Sequence, residues 1–400
     1  MKILGIWDGH DSGAALLIDG RLVAAVNEER LSRRKLEVRF PASAIAACLD
    51  IAGIRSADVD LVAASTTDIA KTLERWFPGT KEHYYAIRRR KTSPGGLTTL
   101  KKRAKHWITE WGSTTTSRAL SRSALQRELR RVGIERAELK LFDHHECHAV
   151  AAAHTSGMQP CLVLTIDGLG DGLSATVSVL NDGRLERIAA SPAQQSLGVF
   201  FEHVTNLLNM RELEDEGKVM ALADFAAPIS DEANPLLSLI TVRDGRVYTT
   251  LPGHALFSRL KRIHWSYANE QFAFMAQRTV ERVCVQIAQD AIRMTGLRRL
   301  ALAGGVASNI KANRWIRLLP EVENVYIFPH MGDGGLALGA AMAAASQAGE
   351  VLQCGLANLA LGPEYSEQEM SAALRKAHLT PERITDLEER VADLIVEGKI

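Results

Sequence analysis

The pattern of apolar and polar positions along this chain says one thing twice. Near the start, Leu4-Gly5-Ile6-Trp7 is an apolar run that meets the polar loop Asp8-Gly9-His10-Asp11. It resumes as Gly13-Ala14-Ala15-Leu16-Leu17-Ile18 and breaks at Asp19-Gly20 before Arg21-Leu22. Downstream, Leu164-Thr165-Ile166 meets Asp167-Gly168-Leu169-Gly170-Asp171-Gly172. A second β-rich run follows, and Asp182-Gly183 breaks it before Arg184-Leu185. Asp-Gly between apolar runs predicts a tight hairpin, because the turn needs positive φ and glycine supplies it without steric cost. Two such hairpins predict two similar half-domains with a cleft between them.

The same patterning predicts further elements. In the first half these are a helix over 42–52 closing near Gly53, a buried strand over 61–65, a helix over 125–132, a strand over 139–142 and an alanine-rich helix over 148–154. In the second half they are helices over 200–208 and 272–295, a strand over 300–303 running into Gly304-Gly305, a strand over 325–328 and an Ala/Gly-rich helix over 335–348. The expected organisation is a first lobe over 1–160 with a basic helical insertion at about 68–120, and a second lobe over 161–348. Residues 349–400 read as a linker and the start of a further domain, since Glu397-Gly398-Lys399-Ile400 resembles a helix end, its glycine cap and the first residue of a strand.

Composition narrows the class without naming it. The 400 residues are 46% hydrophobic and carry a formal net charge of +1, so sizeable cores can form and no global charge draws the chain to nucleic acid or membrane. Five scattered cysteines show no CxxC spacing, which argues against a disulfide framework or a thiolate zinc site. No apolar run approaches a membrane span of about 18 residues, and the expectation is a cytoplasmic enzyme. Between 71 and 105, eleven Lys/Arg stand against Glu74 and Glu82. That segment lacks a recognised nucleic-acid motif and reads as a solvated helical insertion rather than an RNA or DNA surface.

The sharpest chemical signal is Asp143-His144-His145-Glu146-Cys147-His148. Positions four apart share a helix face, so His144 and His148 can present two imidazoles to one ion, while His145 is out of phase. Asp333, in Phe328-Pro329-His330-Met331-Gly332-Asp333-Gly334-Gly335, can complete a His-His-Asp site with open positions; it equally fits a helix N-cap. The loops at Asp167-Gly168 and at Gly304-Gly305 to Asn309 follow strands, where bare amides can cradle phosphates or simply make tight turns. His10, flanked by Asp8 and Asp11, suits a general base, or a solvated polar turn. Arg33-Arg34-Lys35 and Glu216-Gly217-Lys218 are weaker candidates, and charge runs of this kind are usually solvated.

Taken in order, these motifs resemble the O-carbamoyltransferases of the nodulation and antibiotic-tailoring type. The matching stretches are Gly9-His10-Asp11 with Ala14-Ala15-Leu16; Glu28-Glu29-Arg30 with Lys35 and Phe40-Pro41; His144-His145 with His148-Ala149; Asp167-Gly168 with Gly170-Asp171; Ser196-Leu197-Gly198; Glu216-Gly217-Lys218 with Met220; Gly304-Gly305-Val306-Ala307 with Asn309; and Gly332-Asp333 with Gly335. The resemblance implies an α/β fold of two duplicated actin/sugar-kinase-like (ribonuclease H-like) lobes around a central cleft. It is similar in this to the transferase that finishes threonylcarbamoyladenosine on tRNA. Enzymes of this family make carbamoyl-adenylate from carbamoyl phosphate and ATP, then move the carbamoyl group to a hydroxyl of a small acceptor.

By that resemblance His144, His148 and Asp333 would hold a divalent metal, Fe2+ being the expected ion, at the phosphate end of the adenylate. His10 would take the proton from the acceptor hydroxyl, with Asp8 and Lys35 nearby for acceptor or carbamoyl binding. Asp167, Gly168, Gly304 and Asn309 would contact the nucleotide. Expected partners are carbamoyl phosphate, ATP, a small hydroxylated acceptor and a second copy of the chain, with no membrane and no nucleic acid. One departure matters: the family's usual YrdC-like adenylate-forming domain, with its Gly-Pro-Arg-Ala-Leu-Gly-type motif, does not occur in these 400 residues. It would act in cis or in trans. Rival expectations are a tRNA threonylcarbamoyl transferase-like enzyme and a non-catalytic nucleotide-binding module. A kinase is disfavoured by the paired histidines, since phosphoryl transfer prefers carboxylate-held Mg2+. A zinc peptidase is disfavoured by the lack of an HExxH pattern.

Overall fold

The structure, a computed structural model, describes residues 1–89, 110–353 and 355–399. The stretch 90–109 of the expected basic insertion lies outside the described residues. The chain folds as two units, Met1–Gly362 and Pro363–Ile400.

The first unit holds two five-stranded sheets. Strands β1 (Lys2–Trp7), β2 (Gly13–Ile18), β3 (Arg21–Asn27), β4 (Leu61–Ser65) and β5 (Glu138–Phe142) form one, in the order β3-β2-β1-β4-β5. Strands β6 (Cys161–Gly170), β7 (Leu173–Asn181), β8 (Arg184–Pro192), β11 (Arg299–Ala303) and β12 (Asn324–Ile327) form the other, in the order β12-β11-β6-β7-β8. In each sheet the first three strands in sequence run antiparallel as a meander, and the last two run parallel to the first. The two topologies are therefore the same, the duplicated α/β arrangement that the paired hairpins predict. Both Asp-Gly turns adopt positive φ at both central residues: 48° and 74° at Asp19-Gly20, 48° and 74° at Asp182-Gly183. That geometry matches the right-handed twist of the flanking strands.

Two alanine-rich helices, His144–Thr155 and Leu336–Gln347, lie in the layer shared by both sheets. Ile3 and Trp7 of β1 face this layer, whereas Leu4 and Ile6 face the opposite core with helix Ala42–Ala52. A strand covered on both sides needs no polar alternation, which explains the unbroken apolar run. Small residues let the layer close: a Cβ on Gly339 would stand 2.0 Å from the Cys147 carbonyl oxygen. A third core forms between the second sheet and the long helix Asn269–Thr295.

Boundaries shift where caps decide them. The helix expected over 148–154 begins at His144, because Asp143 accepts from the Glu146 amide at 3.0 Å. The helix expected over 125–132 runs Thr115–Arg131, started by a Thr114/Ser117 capping box that its polar face hides from the periodicity. A small hairpin, β9 (Ile240–Arg243) and β10 (Arg246–Thr249), was not expected. Within the basic segment, helices Ile69–Trp76 and Pro78–Arg88 are described. Among the described residues no helix is long and apolar enough to cross a membrane. The second unit carries helices Glu367–Lys376 and Leu387–Val396, with no fully buried residue in either.

Candidate active site

The N-terminal ends of the two central helices meet the loops after β1 and near the end of β6. Helix His144–Thr155 stacks His144 and His148 one turn apart, ring centroids 4.8 Å from each other. Asp167 on β6 and Asp333, in the turn before Leu336, bring carboxylates to the same point. His144 Nε2 lies 3.0 Å from Asp167 Oδ2 and 3.5 Å from Asp333 Oδ1; His148 Nε2 lies 3.5 and 3.6 Å from the same two oxygens. One ligand atom from each of the four falls within 4.8 Å of every other, and all four residues are buried. Both ring nitrogens of His148 are buried without a hydrogen-bond partner. A divalent cation fits this donor set: two imidazoles and two carboxylates, with an orphaned nitrogen aimed among them. His145 instead meets the Thr165 hydroxyl at 2.8 Å, and burial followed by His144 pushes its pKa down to about 3.

His10 sits beside this cluster. Its Nε2 is 3.1 Å from Asp333 Oδ2 and its Nδ1 is 3.1 Å from Asp11 Oδ2. Burial opposes a charge on the ring, but Asp333 and Asp11 outweigh it and raise the pKa to about 10. The Tyr85 ring packs edge-on at 5.6 Å between centroids.

Asp8 is committed elsewhere. Its oxygens accept from Arg75 at 2.9 and 3.0 Å, and Lys71 Nζ stands 3.0 Å away. Lys81 donates to the Asp8 carbonyl. Burial would raise the Asp8 pKa, yet Arg75, Lys71 and Lys81 hold it well below the carboxylate range. In return, burial and the charge of Lys71 push Lys81 down to about 7.

A cleft of about 1120 Å³ opens over these groups, lined on one side by Trp7, His10, Lys71 and Tyr85 and on the other by Gly168, Phe257 and Val306. On that second side the Gly305 amide donates to Asp167 Oδ1 at 2.8 Å. Gly304 holds φ 90°, and a Cβ there would meet the Ile166 carbonyl oxygen at 2.3 Å.

Residues 2–342 match the family described as Carbamoyltransferase N-terminus. The chain belongs to this family. Nodulation protein NolNO of Sinorhizobium fredii is 28% identical over 98% of this chain and 55% of its own length. Nodulation protein NolO of Bradyrhizobium diazoefficiens is 29% identical over 65% of the chain and 49% of its own length. This carbamoyltransferase-family chain thus spans about half the length of those curated relatives. Among solved structures, (R)-2-hydroxyglutaryl-CoA dehydratase component A of Acidaminococcus fermentans superposes with a TM-score of 0.46 at 16% identity, over 87% of this chain and 99% of that one.

Most of the expected site residues converge in this carbamoyltransferase domain, with changes of place. His144, His148 and Asp333 do form one cluster. Asp167, expected at the nucleotide, stands in that cluster as its fourth member. Gly168 lines the cleft, and Gly304 shapes the turn beside it. Asn309 lines the cleft too, but its side chain is engaged: Oδ1 accepts from the Ala312 amide and from Gln277, and Nδ2 donates to Gln277 Oε1. Lys35 is exposed and is not among the described residues lining the cleft. The Asp8 carboxylate is held by Arg75 and Lys71, and its backbone carbonyl by Lys81. Sequence reasoning missed Lys71 and Arg75, which lie four apart on helix Ile69–Trp76 and are buried; within a basic run nothing local marks them as buried rather than solvated.

Proposed function

We propose that this chain carries the transfer site of an O-carbamoyltransferase, which moves a carbamoyl group from carbamoyl-adenylate to a hydroxyl of a small acceptor. The observation that carries the reading is the shared carboxylate of Asp333. One oxygen meets His10 at 3.1 Å, and the other faces His144 and His148. A proton-accepting imidazole and a cation site are thereby joined through one side chain.

His144, His148 and Asp333, joined by Asp167, would hold a divalent ion, Fe2+ by the family resemblance, whose charge would stabilise the phosphate of departing AMP. A neutral hydroxyl is a poor nucleophile, so a positioned base is needed; His10 takes that role at Nε2. Asp333 and Asp11 raise the pKa of His10 against the effect of burial. A cation sharing Asp333 would withdraw part of that stabilisation and favour the neutral, basic imidazole. Tyr85 packs against the ring and limits its rotation. The apolar wall at Phe257, Val280 and Val306 offers a surface for the adenine of the nucleotide. Adenylate formation is assigned to a YrdC-like domain acting in cis or in trans.

The test is mass spectrometry of hydroxylated acceptors after incubation with carbamoyl phosphate, ATP, this chain and a YrdC-like domain. A carbamate on an acceptor hydroxyl, absent with the His10→Ala chain, is the expected result. Product formed equally well by His10→Ala would sink the assignment of the base.

A further inference from the structure

Thr66 has a backbone conformation its side chain disfavours. Its φ is +65° at the end of β4, although it is β-branched and buried. Such a residue in the left-handed region is an outlier, and it persists only where the surroundings over-determine it. Here they do. The Thr66 amide donates to the Phe142 carbonyl at 3.0 Å, continuing the β4–β5 ladder. Its carbonyl accepts from Arg75 Nη1 at 2.8 Å.

Arg75 is saturated. Nε and Nη2 hold Asp8, Nη2 also holds the Ser65 carbonyl at 2.9 Å, and Nη1 holds the Thr66 carbonyl and Ser121 Oγ at 2.8 and 2.9 Å. All five guanidinium N–H groups are thus used. The result aims the Thr66 hydroxyl at the cluster: Oγ1 lies 2.9 Å from His144 Nδ1. On the other side of His144, its backbone amide donates to Asp171 Oδ2 at 2.9 Å. His148 has no such partner on Nδ1. The two histidines of the cluster are therefore not equivalent.

We propose that Thr66 is a positioning residue for His144, held in its strained conformation by the Asp8–Arg75 pair, and that it fixes the ring so that Nε2 faces Asp167 and Asp333. His144 Nδ1–H donates to Thr66 Oγ1, which leaves the Nε2 lone pair for an ion. Groups that fix a ligating imidazole's other nitrogen typically change metal affinity about 10–100-fold when removed. This also gives Asp8 a role: it anchors the arginine that shapes the metal-facing turn. The inference rests on the reading of the cluster as a cation site.

The test uses the full chain and Co2+ as probe, followed by its visible absorption. Thr66→Val keeps the branched shape and removes the hydroxyl; Thr66→Ser restores the hydroxyl. The expected result is Co2+ binding about 10–100-fold weaker in Thr66→Val and within about threefold of the parent in Thr66→Ser. Thr66→Gly accepts positive φ without strain, so it keeps the test alive if the valine chain does not fold, and it is expected to match the valine loss. Undiminished Co2+ binding by Thr66→Val or Thr66→Gly overturns the role of Thr66 alone. So does a serine chain as weak as the valine one. A parent chain that binds no Co2+ overturns the cation site and this inference together.

Discussion

His10 Nε2 stands 3.1 Å from Asp333 Oδ2, while Oδ1 of the same carboxylate lies 3.5 Å from His144 Nε2. One side chain thus touches the residue assigned to proton transfer and the group assigned to hold a cation. Removing either neighbour should have separable effects, because each uses a different oxygen.

His10→Ala should lower carbamoyl transfer by about 10²–10⁴-fold, the usual contribution of a positioned general base. Co2+ binding should be retained or strengthened, since His10 is not one of the four clustered residues and its removal frees Asp333 from the imidazole. Parallel measurement of product formation and of Co2+ absorption checks this. Loss of Co2+ binding with the His10 change would place His10 among the ligands instead.

Asp8→Ala should destabilise the fold rather than merely weaken acceptor binding. It would leave the buried cations Arg75 and Lys71 without their carboxylate. Breaking a buried pair in this way costs about 3–5 kcal/mol. A urea midpoint within error of the parent's would show instead that Asp8 is dispensable to folding.

Glu216 supplies a pH dependence with a definite sign. Burial, followed by the nearby Glu202, raises its carboxyl to about 7. Its unfolded value is near the ordinary glutamate value of about 4.3, so between these limits the folded state binds more protons than the unfolded state. This group's contribution is therefore fully present at low pH and is lost as pH rises toward and through 7. Glu216→Gln imitates the protonated form. It should match the parent near pH 4.5 and be more stable near pH 8, by an amount on the order of 1–2 kcal/mol. Urea midpoints for both proteins across that range test it, and a gap that does not change with pH refutes it.

Gly304→Ala should be among the most damaging small substitutions. It combines φ 90° with a Cβ placed 2.3 Å from the Ile166 carbonyl oxygen. A loss of at least about 2 kcal/mol is expected from the backbone strain and the clash. Gly217→Ala is the control: it lies in helix Glu216–Leu222 with nothing within 4 Å of the new methyl, so a gain of about 0.5–1 kcal/mol is expected. Thermal midpoints of the two proteins should move in opposite directions.

Much of this molecule was legible in short stretches of sequence. The paired Asp-Gly turns encode two hairpins, because positive φ is a local property that glycine and aspartate accept. The spacing of His144 and His148 encodes their shared helix face, because helical period is local too. The small residues of 335–348 foretell close packing, and Gly339 does pack against the Cys147 carbonyl.

Other features carried no local mark. The helix Thr115–Arg131 was half missed because its buried positions are few and its exposed face is strongly polar. The basic stretch reads as solvated in sequence, yet Lys71, Arg75 and Lys81 are buried around Asp8.

The sequence by itself determined the duplication, the two imidazoles on one helix face and the family to which the chain belongs. Only the tertiary structure decided that Asp167 joins His144, His148 and Asp333, that Asp8 serves Arg75, and that Lys35 stands apart from the cleft. The reason is physical. Turn and helix preferences depend on neighbouring residues, but which carboxylate meets which imidazole or guanidinium depends on strand order and helix packing. Those are set by burial of whole faces, and no short motif records them.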